Sequence, residues 1–424
     1  GGGADIDGMY HTDGRQHDRK EKHTLTIQDK EKTMAGYLKQ TEQQRNYLTD
    51  TRRHLHRHPE LSMKEYETAD FIRSELTDSC IPWKRIGETG TLGWIDTGKP
   101  GKTIMLRADI DALPMEEKTD VPWRSVNSGV MHACGHDIHT ASLLGTAKIL
   151  SDMKEKLSGR VMFVFQQAEE FGHGSRFFIE EGTVAQADIA LGCHISPGLQ
   201  CGKAALSKGT DAASCAYFRI VFKGRSAHVS KPQEGADALR VAAQLVMQLP
   251  VIKGSIDPME RAILEVGHME SGSTFNIIAA EAKLEGSMRC LSDETHRLLQ
   301  EKVKASAETI AALNGCEAEI YFETFASALV NDDDVRLGAA AAAGLTLGEE
   351  NVIPDGEVLF GFAADDFSDL AKGAASAYIH IGTADPARPE TSLPLHSDGL
   401  DVDEEALLAA ADIFTRYVLA ELAE

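Results

Sequence analysis

The chain has 424 residues, too many for one ordinary hydrophobic core, and its 42% hydrophobic and 26% charged composition is that of a globular protein of two or three packed units. With 66 acidic against 43 basic side chains it carries a formal charge of −23, which argues against a nucleic-acid partner. No run of about 18 apolar residues predicts a membrane span, and seven scattered cysteines, an odd number, point to a reducing, cytoplasmic setting rather than a disulfide scaffold.

Gly1 to Gly8 read as an appended tag ahead of Met9, and the polar stretch to about Lys32 as a flexible arm. The spacing of Met34, Tyr37, Leu38, Leu48 and Leu55 predicts an amphipathic helix over Thr33 to His58, stopped by Pro59, and a second helix covers roughly Lys64 to Leu76. Thr91 to Thr97 and Lys102 to Ala108 form a strand pair around the turn residues 98–101, which sets Asp109 and Asp111 at a strand's carboxyl end. Helix 137–154, strand 159–166, helix 174–181 and strand 189–194 then alternate, as in a sheet with crossover helices.

Between about Ser214 and Thr324 the order changes to strand (215–222), helix (236–249), strand (262–269), strand (280–290), helix (294–314) and strand (317–323), a β-α-β-β-α-β unit. The α/β pattern resumes with strand 377–381 and a last helix over 404–421. The expected organisation is therefore an arm (1–32), a first catalytic part (33–211), an inserted lid (212–324) and a second catalytic part (325–424).

Cys134 and His136 lie two apart just before a helix, His139 follows one turn later, and Glu169-Glu170 follows the apolar strand Val161 to Phe165. Thiolate, imidazole and carboxylate together suit a divalent metal, with His194 and His396 as candidates to complete the set. Adjacent glutamates allow one to ligate and its neighbour to serve as a base. His54, His56 and His58 alternate in a helix-ending segment and are read as structural, pointing in different directions. His380 is read as a core strand residue, and Cys193 and Cys201 as small hydrophobes.

The run Met131-His132-Ala133-Cys134-Gly135-His136-Asp137-Ile138-His139-Thr140-Ala141, with Ala168-Glu169-Glu170, closely resembles the aminoacylase and auxin-conjugate-hydrolase branch of family twenty of the metallopeptidases. Leu106 to Pro114, His56 to Glu60, Ser271 to Asn276, Asp365-Asp366-Phe367 and His396 agree with it, so the resemblance covers roughly Thr33 to Glu424. It implies an α/β fold, a mixed-sheet metallohydrolase catalytic domain with an inserted ferredoxin-like α+β lid and dimerisation domain. It further implies two divalent ions per subunit, Mn²⁺ or Zn²⁺, held by Cys134, His136, Glu170, His194 and His396, with Glu169 as general base and Asp109 behind the ligands. His228 and Asn276 occupy the positions of lid residues that reach a site, often the partner subunit's, and Arg289 is the candidate for a substrate carboxylate.

Two departures bear on substrate. Gln233 stands where the family commonly has a second lid histidine, and Phe171 and His173 stand where it commonly has glycines, adding a ring and an imidazole beside the metal motif. The expected activity is hydrolysis of the C–N bond of a small N-acyl amino acid or similar amide, by a homodimer or higher homo-oligomer built through the lid. The alternatives are an aminohydrolase that releases ammonia from a substituted aromatic amine, and an inactive small-molecule-binding or interaction protein of the same fold.

Overall fold

Strand 160–166 runs Val161-Met162-Phe163-Val164-Phe165 with every one of these side chains buried, a pattern that only a sheet covered on both faces can satisfy. It lies within an eight-stranded sheet of a computed structural model that describes residues 36–356 and 360–424. The strand order is Trp83–Ile86, Gly90–Asp96, Arg160–Gln166, Thr103–Asp109, Ile189–Gln200, Ala375–Ala384, Ala204–Ser207 and Val352–Gly356. The four central strands are parallel, with Asp109 opposite Gln166 and His194 opposite His380. Helices His136–Asp152 and Glu405–Leu422 cover one face, where Leu143, Leu144, Ile413 and Phe414 pack against Ile104 and Leu106.

A second, four-stranded antiparallel sheet has the order Glu317–Ala326, Ser214–Lys223, Glu281–Cys290 and Ala262–Ser271. Along strand 214–223 burial alternates from Ala216 to Lys223, so Phe218, Ile220 and Phe222 face helices Ala238–Lys253 and Asp293–Leu313 while Tyr217 and Arg219 face the other way. Both helices start on a side-chain cap: Asp237 accepts the Arg240 N–H and Ser292 accepts the Thr295 N–H. Strand Ala262–Ser271 is left as an edge.

Several elements differ from the sequence's expectations: strands Gly90–Asp96 and Thr103–Asp109 do not pair with each other, since Arg160–Gln166 lies between them and pairs with both. Within the described part of Thr33–His58 there are two helices, Lys39–Gln43 and Arg45–Arg57, separated where Gln44 leaves helical geometry (φ −92°, ψ 1°). The tag, the arm and Met34 lie outside the described residues. Five strands of two to five residues (83–86, 204–207, 210–212, 329–330, 352–356) escaped notice because so short a run shows no period. Among the described residues no helix is long and apolar enough to cross a membrane.

Candidate metal centre

Two turns and one loop deliver the chemistry to the carboxyl ends of the central strands, the crevice where open α/β sheets place ligands. Gly135, between Cys134 and His136, has φ 85°, and a Cβ there would lie 2.3 Å from Ile195 Cδ1, so glycine alone fits. Ala168 (φ 52°), just before Glu169, and His396 (φ 64°) are non-glycine residues held in the left-handed region. Such strain persists only where the surroundings dictate it, and here it aims functional side chains.

Hydrogen bonds fix which imidazole nitrogens are free. His136 Nδ1 donates to Asp111 O at 2.8 Å and His194 Nδ1 to Ile195 O at 2.8 Å, so in the neutral form of each ring Nε2 is the nitrogen left for a metal. His139 is different: its Nε2 accepts the Ile195 N–H at 3.0 Å and its Nδ1 donates to Asp109 Oδ1 at 2.6 Å, which leaves no lone pair for a metal. His194 Nε2 lies 3.5 Å from Cys134 Sγ, His136 Nε2 lies 4.0 Å from both Glu169 Oε2 and Glu170 Oε1, and His396 Nε2 lies 3.3 Å from Glu170 Oε1. The donor atoms form two mutually close triads, Cys134/His136/His194 and Cys134/Glu170/His396, that share the cysteine.

The donor set fits divalent cations. His136 Nε2 and Glu170 Oε1 are buried with no hydrogen-bond partner, a cost that a bound ion removes. Burial, then Glu170, Glu169 and Asp109, push the Cys134 thiol well above its ordinary value, so the thiolate needs a cation beside it. Burial opposes a charge on His136, yet Asp109 and Asp111 outweigh it and raise the imidazole to about 10; a metal competes for that same nitrogen.

Behind the ligands Arg107 is fully buried among carboxylates: it bonds Asp109 Oδ2 at 2.7 Å, Asp365 Oδ1 at 3.0 Å and Asp366 Oδ1 at 3.3 Å. Asp109 thus bridges Arg107 and His139. Gln166 Nε2 and the Ser175 N–H bond Asp366, and the Tyr378 hydroxyl bonds Asp365. Burial, then Asp365, Glu170 and Asp366, raise the Glu169 carboxyl well above the carboxylate range, and burial with Asp365 pushes Asp366 up to about 7 against the pull of Arg107.

These groups open onto a cavity of about 700 Å³ lined by both sheets: Cys134, Glu169, Glu170, His194 and His396 on one side, and Cys215, Tyr217, Ser287, Arg289 and Phe325 on the other. Arg289 donates to Phe362 O at 2.6 Å and makes no carboxylate pair among the described residues. Phe171 is 60% exposed at the cavity, and His173 also lines it. His228 and Asn276 are not brought there: they sit on two neighbouring turns beside the second sheet, His228 exposed and Asn276 half-buried, where His228 Nδ1 accepts from Ser230 and the Val229 N–H bonds Asn276 O.

The sequence reading assigned no role to Arg107, Asp365 or the rings Tyr217, Phe325 and Phe360. The one available signal was a pair of charges, Arg107 and Asp109, inside an otherwise apolar strand. The histidine trio also needs correction: His56 turns inward to Asp137 (2.8 Å) and Glu117 (3.1 Å), but His54 and His58, four apart, share a side with ring centroids 5.0 Å apart. His380 is buried against Asp211 at 2.8 Å, and Cys193 is buried in the core, while Cys201 is only half-buried.

Residues 105–420 match the model of Peptidase family M20/M25/M40. An N-acetylcysteine deacetylase of Bacillus subtilis (strain 168) is 34% identical over 382 residues, 88% of this chain and 97% of that protein. The IAA-amino acid hydrolase ILR1-like 4 of Arabidopsis thaliana is 31% identical over 384 residues, 88% of this chain and 86% of its own. Among solved structures, a dinuclear metal binding peptidase from the M20 family, the YXEP protein of Bacillus subtilis, superposes with a TM-score of 0.76 at 31% identity, covering 89% of this chain and 98% of that one.

Proposed function

The chain belongs to peptidase family M20/M25/M40, and from that premise we propose that it cleaves the C–N bond of a small N-acyl amino acid or similar amide. It is a metal-dependent hydrolase acting on carbon–nitrogen bonds. The observation that carries the substrate reading is the cavity's opposed chemistry: two donor triads sharing Cys134 on one wall and, on the other, the guanidinium of Arg289, which has no carboxylate partner among the described residues. A carboxylate of the substrate would pair with Arg289 and set the amide over the donors.

Cys134, His136, Glu170, His194 and His396 would hold two divalent ions, Mn²⁺ or Zn²⁺. Such ions supply Lewis acidity toward water and the scissile carbonyl. Glu169 takes the proton of the attacking water and passes it to the leaving nitrogen. Asp109 and Arg107 hold the ligand-bearing elements in place.

Residues 212–324 act as the lid, and a second copy of the chain covers its edge strand Ala262–Ser271 and the neighbouring apolar side chains Leu239, Ile277 and Phe275, the last 94% exposed. His228 and Asn276 lie beside that surface and reach the partner's cavity rather than their own. With all seven cysteines free, the reading keeps a reducing, cytoplasmic setting.

The exposed ring of Phe171, with Phe325 and His173 nearby, favours a second reading in which water attacks a ring carbon bearing an amine and ammonia leaves. The inactive-relative reading loses ground because all five proposed ligands and Glu169 converge. The test is metal-reconstituted enzyme offered N-acyl amino acids, dipeptides, aryl amides and substituted anilines, with amino acid and ammonia scored separately. Amino acid release from an N-acyl substrate is expected; ammonia from an aniline alone would overturn the amide assignment.

A further inference from the structure

The turn that carries Glu169 and Glu170 does not end at the cavity wall; it runs into the second sheet. His173 Nε2 stands 3.5 Å from Glu323 Oε1, and its ring meets Phe325 edge-on at 5.6 Å. Arg176 Nη2 donates to Thr324 O at 3.0 Å, and a Cβ on Gly172 would lie 2.7 Å from Phe325 Cβ. Residues 172–176 thus lie along the end of strand Glu317–Ala326. His173 Nδ1 is buried without a partner, so Glu323 supplies the ring's one polar contact among the described residues.

On the other side the same turn is bonded to the backbone of the proposed base. The Gly172 N–H donates to Glu169 O at 2.7 Å and the His173 N–H to Ala168 O at 3.4 Å, while a side chain on Gly174 would strike Gln167 O at 1.6 Å. The turn has no slack between Gln167 and Gly174.

We propose that His173 and Glu323 form a latch: a positioning pair through which the lid sets the placement of the Glu169–Glu170 turn. When the second sheet moves, Glu323 pulls on His173, and this pair, beside the Arg176 hydrogen bond to Thr324 O, carries the motion to the turn. His173 then acts through Glu169 rather than by touching substrate. The kinetic consequence rests on the hydrolytic reading above, but the mechanical coupling does not.

The experiment uses the full chain with His173→Ala, Glu323→Ala, the double variant and His173→Gln, and reads amide hydrogen exchange together with steady-state kinetics. Glu323→Ala, a change made in the lid, is expected to speed exchange of the amides in residues 168–176 about tenfold, as much as His173→Ala does, with no further gain in the double variant. With a substrate from the panel, kcat falls about tenfold while KM moves less than about threefold, and His173→Gln, which keeps a donor, recovers most of the loss. Exchange in 168–176 that ignores Glu323→Ala, or effects that simply add, overturns the latch. Should Glu323→Ala fail to fold, Glu323→Gln carries the same comparison. If the wild type turns over nothing in the panel, the functional reading falls and exchange alone still decides the latch.

Discussion

The same resemblance points to two groups of residues, and the structure treats them in opposite ways. Cys134, His136, Glu169, Glu170, His194 and His396 come from four separated stretches of chain and converge on one cavity. His228, on an exposed turn beside the second sheet, and the half-buried Asn276, on the turn next to it, are close in space but stay outside that cavity. The first group rests on a helix start, a strand end and a loop held in fixed backbone geometry, with positive φ at Gly135, Ala168 and His396. The second is held by backbone bonds between two neighbouring turns, Val229 N–H to Asn276 O and Ile278 N–H to Ala227 O. One group is therefore brought together within a single chain, and the other meets a cavity only if something is placed against it.

The largest effect should come from the first group. Glu169→Gln removes the proton acceptor but leaves every proposed metal donor, so turnover is expected to drop at least about 10³-fold with metal stoichiometry unchanged. Metal analysis beside the rate measurement checks it, and an active variant would sink the assignment of the base.

Next comes stability. Arg107→Met strands Asp109, Asp365 and Asp366 without their buried counter-charge, and removing one partner of such a network costs about 3–5 kcal/mol. Arg219→Met, on the exposed face of the second sheet, where its guanidinium lies 5.6 Å from the Tyr321 ring, should cost less than about 1 kcal/mol. Urea denaturation of the two variants sharpens the contrast; equal losses would erase it.

His132 gives a pH-dependent version of the same point. Both ring nitrogens are buried without partners, and burial lowers the imidazole from 6.5 to about 4. Above pH 6.5 the ring is neutral folded or unfolded and its contribution is intact. Between 6.5 and about 4 the unfolded chain takes a proton that the folded chain refuses, so stability falls as pH falls, by about 3 kcal/mol in all. Metal-free wild type and His132→Gln compared in urea near pH 7.5 and pH 4.5 isolate this loss, which the variant should lack. An identical loss in both would assign the slope to other groups.

These residues also show what the sequence could and could not reveal. The proposed ligands were legible because Cys134-Gly135-His136 and Glu169-Glu170 stand in short runs that resemble a known family's, a local property, and that resemblance implies His194 and His396 with them. Asp365 was not, because its meaning depends on Arg107, 258 positions away, and no spacing rule spans that distance. Phe325 and Tyr217 come from the second sheet and reach the cavity only through packing of one sheet against the other. The histidine trio failed for a simpler reason: alternation by two separates His56 from its neighbours, but His54 and His58 are one helical turn apart. The short strands at 204–207 and 352–356 exist because a neighbour supplies their hydrogen bonds, which no pattern within four or five residues records.

The exposed turn is the harder region to test, because loss of activity alone would not say where His228 acts. His228→Ala is expected to lower kcat about 10²-fold, the usual cost of losing one donor to developing charge, with an unchanged melting temperature because the side chain bonds only Ser230. Mixing it with Glu169→Gln separates the cases. Each variant alone is nearly dead, but in a mixed dimer one cavity receives Glu169 from the first chain and His228 from the second. Random exchange makes half the dimers mixed, each with one complete cavity out of two, so about a quarter of wild-type activity should return. If His228 served its own chain, every mixed dimer would contain two incomplete cavities and no activity would return. The outcome decides whether the exposed turn is the missing wall of another subunit's site or a surface feature of its own.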